Sequence, residues 1–131
     1  MIFVDTGAWY ARYVADDVDH RAAVSWFANV PDRIVTTDYV VNELLTLLKV
    51  RGYRDIAFSV GLPLVSGVAC QLEYVPPSDF ERAWIVFSTF RDKDWSFTDC
   101  VSRVVMERLR IQIACAFDDH FRQFGNVIVV P

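Results

Sequence analysis

The chain has 131 residues, 17 acids against 13 bases for a net charge of −4, and 53% apolar residues. That length suits one domain with a sizeable core, and the apolar excess implies a deeply covered sheet, an exposed apolar face for a partner, or both. The acidic balance excludes a basic nucleic-acid module, and no apolar run approaches the roughly 18 residues a membrane span requires.

Strand-like runs alternate with helical patterns in chain order, which predicts an α/β fold with a mostly parallel sheet. Residues 2–4 form a short all-apolar strand, as expected when both faces are covered. The stretch Met1 to Asp5 lacks a basic leader and a cleavage site, so a cytoplasmic chain is expected. Thr6 or Gly7 opens a helix to about residue 15, and Asp19 is placed to cap a helix over residues 20–29. Residues 34–36 read as strand, and Thr37 or Asp38 caps a helix that stops near Gly52. Residues 53–66 read as helical, with Pro63 kinking or ending the helix; the apolar segment 56–71 resists firmer assignment. Residues 72–75 read as strand. A helix begins at Pro77-Ser78 and carries Phe80, Ala83, Trp84, Phe87 and Phe90 along one face. Another helix starts at Thr98 and runs to about residue 110. Residues 112–117 form a strand, 119–124 a short helix, and 127–130 the last strand.

Cys70, Cys100 and Cys115 are odd in number and contain no C-x-x-C pair, so buried reduced thiols are expected. No P-loop and no Ser-His-Asp or Cys-His arrangement is present.

Four acids lie against apolar sequence: Asp5, Glu43, Asp99 and Asp118. Setting them aside leaves 13 acids against 13 bases. Asp5 and Asp118 end hydrophobic runs, where parallel α/β folds gather ligands, and Asp99 lies at a predicted helix start. Glu43 falls between Tyr39, Leu47 and Val50 on the apolar arc of its helix, whereas Asp38, Asn42, Thr46 and Lys49 occupy the polar arc. Each acid has an ordinary reading: an N-cap for Asp5, a first-turn dipole partner for Asp99, turn chemistry for Asp118 beside Asp119, and an interhelical salt bridge for Glu43. Half-buried carboxylates that converge suit a hard divalent cation, and so phosphate chemistry.

The segments Val4-Asp5-Thr6-Gly7-Ala8, Val41-Asn42-Glu43-Leu44, Ser96-Phe97-Thr98-Asp99-Cys100 and Ala116-Phe117-Asp118-Asp119-His120-Phe121 resemble, in order and separation, the PIN-domain family. Within it the chain resembles in particular the VapC-type ribonuclease toxins of toxin–antitoxin systems, and the resemblance spans essentially the whole chain. The resemblance implies a three-layer α/β/α sandwich with a Rossmann-like sheet, in one PIN domain over residues 1–131. It implies a metal-dependent endoribonuclease in which Asp5, Glu43, Asp99 and Asp118 hold Mg²⁺ or Mn²⁺ and a metal-activated water cuts RNA. Thr6 and Thr98 match positions with a small hydroxyl near the metal. Asp119 competes with Asp118, and Phe121, three residues after Asp118, favours the latter. The resemblance further implies an RNA substrate of the tRNA or rRNA class, a VapB-like antitoxin and a homodimer.

Arg51, Arg54, Arg91 and Lys93 are candidates to hold RNA phosphates, or are solvated helix ends. Trp9, Trp26, Trp84 and Trp95 are read as core or interface packing, and His20 and His120 as surface residues or neighbours of the site, without metal-ligand spacing. Two rival functions remain. An aspartyl-phosphate phosphatase or phosphotransferase is disfavoured by Gly7 two residues after Asp5 and by the lack of any lysine after Lys93. A non-catalytic PIN scaffold binding RNA or protein is disfavoured by the intact acid set.

Overall fold

A computed structural model of the chain describes residues 1–131. Five parallel strands, β1 (Ile2–Val4), β2 (Ile34–Thr37), β3 (Gln71–Glu73), β4 (Ile113–Cys115) and β5 (Ile128–Val130), form one sheet in the order β3-β2-β1-β4-β5. Six helices cover it: α1 (Thr6–Tyr13), α2 (His20–Ala28), α3 (Asp38–Val50), α4 (Arg54–Val65), α5 (Pro77–Thr89) and α6 (Phe97–Leu109), with a short 3₁₀ turn at Arg122–Phe124. This is the expected three-layer arrangement, with every strand pair parallel.

The central strand explains the composition. Ile2, Phe3 and Val4 are all buried, because β1 is paired on both sides and packed on both faces. Such a strand has no polar face to alternate. The chain adds β2 and β3 to one side of β1, then β4 and β5 to the other, so the strand order reverses between β1 and β4. Ligand clefts of open parallel sheets lie outside the strand ends at that reversal.

Local chemistry sets the helix ends. Thr37 caps α3 by accepting from the Val40 amide at 3.1 Å, while Asp38 accepts from the Val75 amide at 3.0 Å and so ties α3 to the chain after β3. Asp19 does not cap α2 with its side chain. Pro63 does not end α4, which continues to Val65. Lying in the last turn, Pro63 removes only one late backbone hydrogen bond, and its carbonyl accepts from the Ala69 amide at 2.9 Å. The segment that resisted assignment is thus most of α4 and the turn into β3. Ser96, rather than Thr98, caps α6, in a reciprocal capping box with Asp99.

Trp9 and Trp95 are core residues, Trp26 packs against the core, and Trp84 is exposed. All three cysteines are free and buried, and burial pushes their thiols up, to about 11 for Cys70 and Cys100 and about 12 for Cys115. No helix is long and apolar enough to cross a membrane.

One acid is buried with full compensation. Asp79 of α5 accepts from Arg108 Nε at 2.7 Å, and the same guanidinium donates to Glu73 at 2.8 Å, joining α5, α6 and β3. Removing the arginine strands a buried carboxylate. Arg108→Ala is therefore expected to lower the unfolding free energy in urea by about 2 kcal/mol, with the partial exposure of Arg108 limiting the loss. Asp79→Asn in the same chain should recover part of that loss.

Candidate metal and substrate site

A cleft of about 380 Å³ opens at the carboxyl edge of the sheet where the strand order reverses. Its walls include Asp5, Glu43, Asp99 and Asp118 together with Asp17, Asp19, Arg51 and His120. Residues from opposite ends of the chain, Asp5 and His120, thus share one concave surface.

Asp5 is fixed from both neighbouring strands. Its amide donates to the Cys115 carbonyl at 3.1 Å, extending the β1–β4 ladder by one residue. The Val4 carbonyl accepts from Thr36 Oγ1 at 2.9 Å, and that hydroxyl accepts in turn from Trp9 Nε1 at 3.3 Å. Asp5 is also the N-cap of α1, its Oδ2 accepting from the Gly7 amide at 3.4 Å. The ordinary N-cap reading therefore holds, and the same carboxylate lines the cleft. Glu43 leaves the apolar arc of α3 to meet α1, where Thr6 Oγ1 donates to its Oε2 at 2.6 Å. Asp99 Oδ2 accepts from the Ser96 amide at 2.9 Å and lies 2.8 Å from His120 Nδ1. Asp118 Oδ1 accepts from the His120 amide at 3.0 Å, a tight turn that follows β4.

The electrostatics are those of an uncompensated cluster. Asp5 is 4% exposed and forms no ion pair within 4 Å. Burial, then the nearby Asp99 and Asp118 carboxylates, hold its carboxyl well above the usual range, against the lowering pull of the Thr6 and Gly7 amides. Burial likewise raises Asp99, with Asp118 adding to it, while the Ser96 amide and His120 pull it down. Six carboxylates line the cleft against one guanidinium and one imidazole. Oxygen donors of this kind suit a hard divalent cation. No three His, Cys, Asp or Glu side chains close into a ready-made ligand group. Mg²⁺ tolerates that, since it commonly takes one or two carboxylates and completes its shell with water and phosphate. The donor set fits the ion.

The remaining candidates separate. Thr6 is in the cleft and Thr98 is not, its place being taken by Ser96. Asp119 lies outside the cleft, 3.8 Å from Arg122. Arg51 lines the cleft with its guanidinium 4.9 Å from the Tyr10 ring centroid. Arg54 instead covers Phe58, and Arg91 and Lys93 line a separate hollow with Phe87, Phe90 and Trp95. The cleft positions of Asp17, Asp19, Tyr10 and Ser96 were not expected from the sequence, and of the two readings of His120 the structure supports the neighbour of the site.

A family model described as PIN domain matches residues 2–127. The chain belongs to the PIN domain family. Among curated PIN-type relatives, the 23S rRNA-specific endonuclease VapC20 of Mycobacterium tuberculosis is 36% identical over 132 residues, covering 100% of this chain and 99% of that protein. The VapC ribonuclease of Archaeoglobus fulgidus is 29% identical over 90% of this chain and 77% of its own length. The crystal structure of M. tuberculosis VapC20, described as a sarcin-ricin loop cleaving toxin, superposes with a TM-score of 0.91 at 31% identity, covering 97% of each chain. The crystal structure of FitAcB from Neisseria gonorrhoeae gives a TM-score of 0.70 at 12% identity over 100% of this chain and 97% of that one, a likeness of fold alone.

Because the folded pKa of Asp5 lies above its ordinary value of 3.8, its ionisation opposes folding. The penalty is absent below that ordinary value, grows as pH rises toward the folded pKa, and is fully present above it. Asp5→Asn removes the charge, so in EDTA at neutral pH the variant is expected to melt above the wild type by several degrees. At pH 3 the difference should shrink; thermal unfolding at the two pH values checks both statements.

Proposed function

We propose that this chain is a metal-dependent endoribonuclease, the toxin of a toxin–antitoxin pair, with large-subunit ribosomal RNA as its substrate class. The observation that carries the proposal is the meeting of Asp5, Glu43, Asp99 and Asp118 in one cleft at the sheet's reversal point. Full-length identity of 36% to a protein named as a 23S rRNA-specific endonuclease supports the choice of rRNA over tRNA. We take residues 1–131 as one PIN domain acting in the cytoplasm.

In this reading Asp5, Glu43, Asp99 and Asp118 hold Mg²⁺ or Mn²⁺. When bound, such an ion neutralises the phosphodiester and makes water a stronger nucleophile. The protein's own groups do the positioning. Asp5 is anchored by β1 and β4, so its carboxylate has little freedom to follow a misplaced phosphate. Thr6 fixes one oxygen of Glu43. Arg51 has its guanidinium against Tyr10 and no carboxylate partner within 4 Å, which leaves its N–H groups available to an RNA phosphate.

Exposed apolar side chains on α4 (Phe58, Leu62, Val65) and α5 (Phe80, Trp84, Ile85, Phe87) are surface that a VapB-like antitoxin and a second copy of the chain would cover.

The deciding experiment incubates antitoxin-free protein with total cellular RNA in Mg²⁺, Mn²⁺ or EDTA, beside Asp5→Asn. Discrete rRNA fragments that need metal, with cleavage reduced by at least about 100-fold in the variant, are expected for a lost transition-state contact. Undiminished cleavage by Asp5→Asn would sink the assignment. Arg51→Ala is expected to raise KM by about tenfold with a smaller effect on kcat, as for a lost phosphate contact.

A further inference from the structure

Asp118 and His120 belong to one tight turn after β4, in which Asp118 Oδ1 accepts the His120 amide at 3.0 Å. That turn carries the imidazole back across the cleft to α6, where Nδ1 lies 2.8 Å from Asp99 Oδ2. Nδ1 lies 3.7 Å from Asp118 Oδ2, too far for a hydrogen bond. The ring therefore engages one of its two neighbouring carboxylates and not the other. The Ser96 amide reaches the same Oδ2 at 2.9 Å, so both donors converge on one oxygen of Asp99, and Oδ1 accepts none. The Ser96 bond belongs to the α6 cap and runs within one helix turn. The His120 bond spans 21 residues and is the one that ties Asp99 to the β4 side of the cleft.

We propose that His120 is a positioning residue for the metal site: by donating from Nδ1 to Asp99 Oδ2 it locks that carboxylate's rotation and reserves Oδ1 for the divalent cation. The proposal rests on the metal-dependent reading above and adds a role to it. A carboxylate is free to rotate about its last torsion unless its oxygens are unequal; two donors on Oδ2 make them so. Groups that hydrogen-bond to a metal ligand commonly contribute 10–100-fold to metal affinity, roughly, through this kind of orientation. The tautomer follows from the partner, since a carboxylate accepts and the shared proton must come from Nδ1.

Three variants of the full chain separate this role from others. In His120→Asn the side-chain amide nitrogen falls near the place of Nδ1, whereas in His120→Gln it falls near Nε2. Mn²⁺ affinity is read directly from the free-ion electron paramagnetic resonance signal, and the RNA cleavage rate from kcat and KM. His120→Ala and His120→Gln are expected to bind Mn²⁺ about 10–100-fold more weakly than wild type. Their kcat should fall at fixed Mn²⁺ and recover as Mn²⁺ is raised, with KM for RNA little changed. His120→Asn should bind Mn²⁺ within about threefold of wild type, and melting in EDTA should show all three variants folded. Unaltered or tighter Mn²⁺ binding by His120→Ala would overturn the proposal, as would failure of asparagine to rescue where alanine fails. In either case the ribonuclease reading would stand. Absence of Mn²⁺ binding in the wild type itself would remove both.

Discussion

β1 has no exposed face, yet it ends in a carboxylate. Its three residues are buried between two parallel neighbours and two helical layers, and the next residue, Asp5, is 4% exposed with no cation paired to it. Charge in such a place is costly unless something outside the chain completes it. The rest of the architecture can be followed from that constraint. The reversal of strand order between β1 and β4 leaves a cleft beside Asp5, the turn after β4 delivers Asp118 to it, and the capped start of α6 delivers Asp99.

The same protein buries another aspartate in the ordinary way. Asp79 is 1% exposed and receives a guanidinium at 2.7 Å, and Glu73 completes that group's contacts. Asp5 instead is met only by the backbone amides of Thr6 and Gly7, the latter at 3.4 Å, and faces two further carboxylates. Two buried aspartates treated so differently argue that the second arrangement serves chemistry and the first serves the fold. Membership of the PIN domain family, with a TM-score of 0.91 to VapC20, is consistent with that division.

Legibility in the sequence followed the range of the forces involved. Glu43 was readable because helical phase is a local property: an acid on the apolar arc must meet something across the helix, and Thr6 of α1 is what it meets. Element order was readable because apolar runs and caps are local too. The start of α6 was expected one residue late, at Thr98, because serine and threonine are both competent at a helix start, and only the closed geometry of Ser96 with Asp99 fixes the cap. The arginines near the acids in sequence dispersed, with Arg51 alone reaching the cleft, since a long side chain at a helix end is directed by whichever ring or carboxylate lies beside it. His120 lacked any ligand spacing, and its partner lies 21 residues away.

The sequence by itself determined a parallel α/β chain with acids at strand and helix ends, because burial patterns and caps are written within a few residues of one another. Tertiary structure decided which of those acids face each other and that His120 reaches Asp99. Those outcomes depend on strand order and on the direction of one turn, and each joins residues whose separation in the chain carries no local signal.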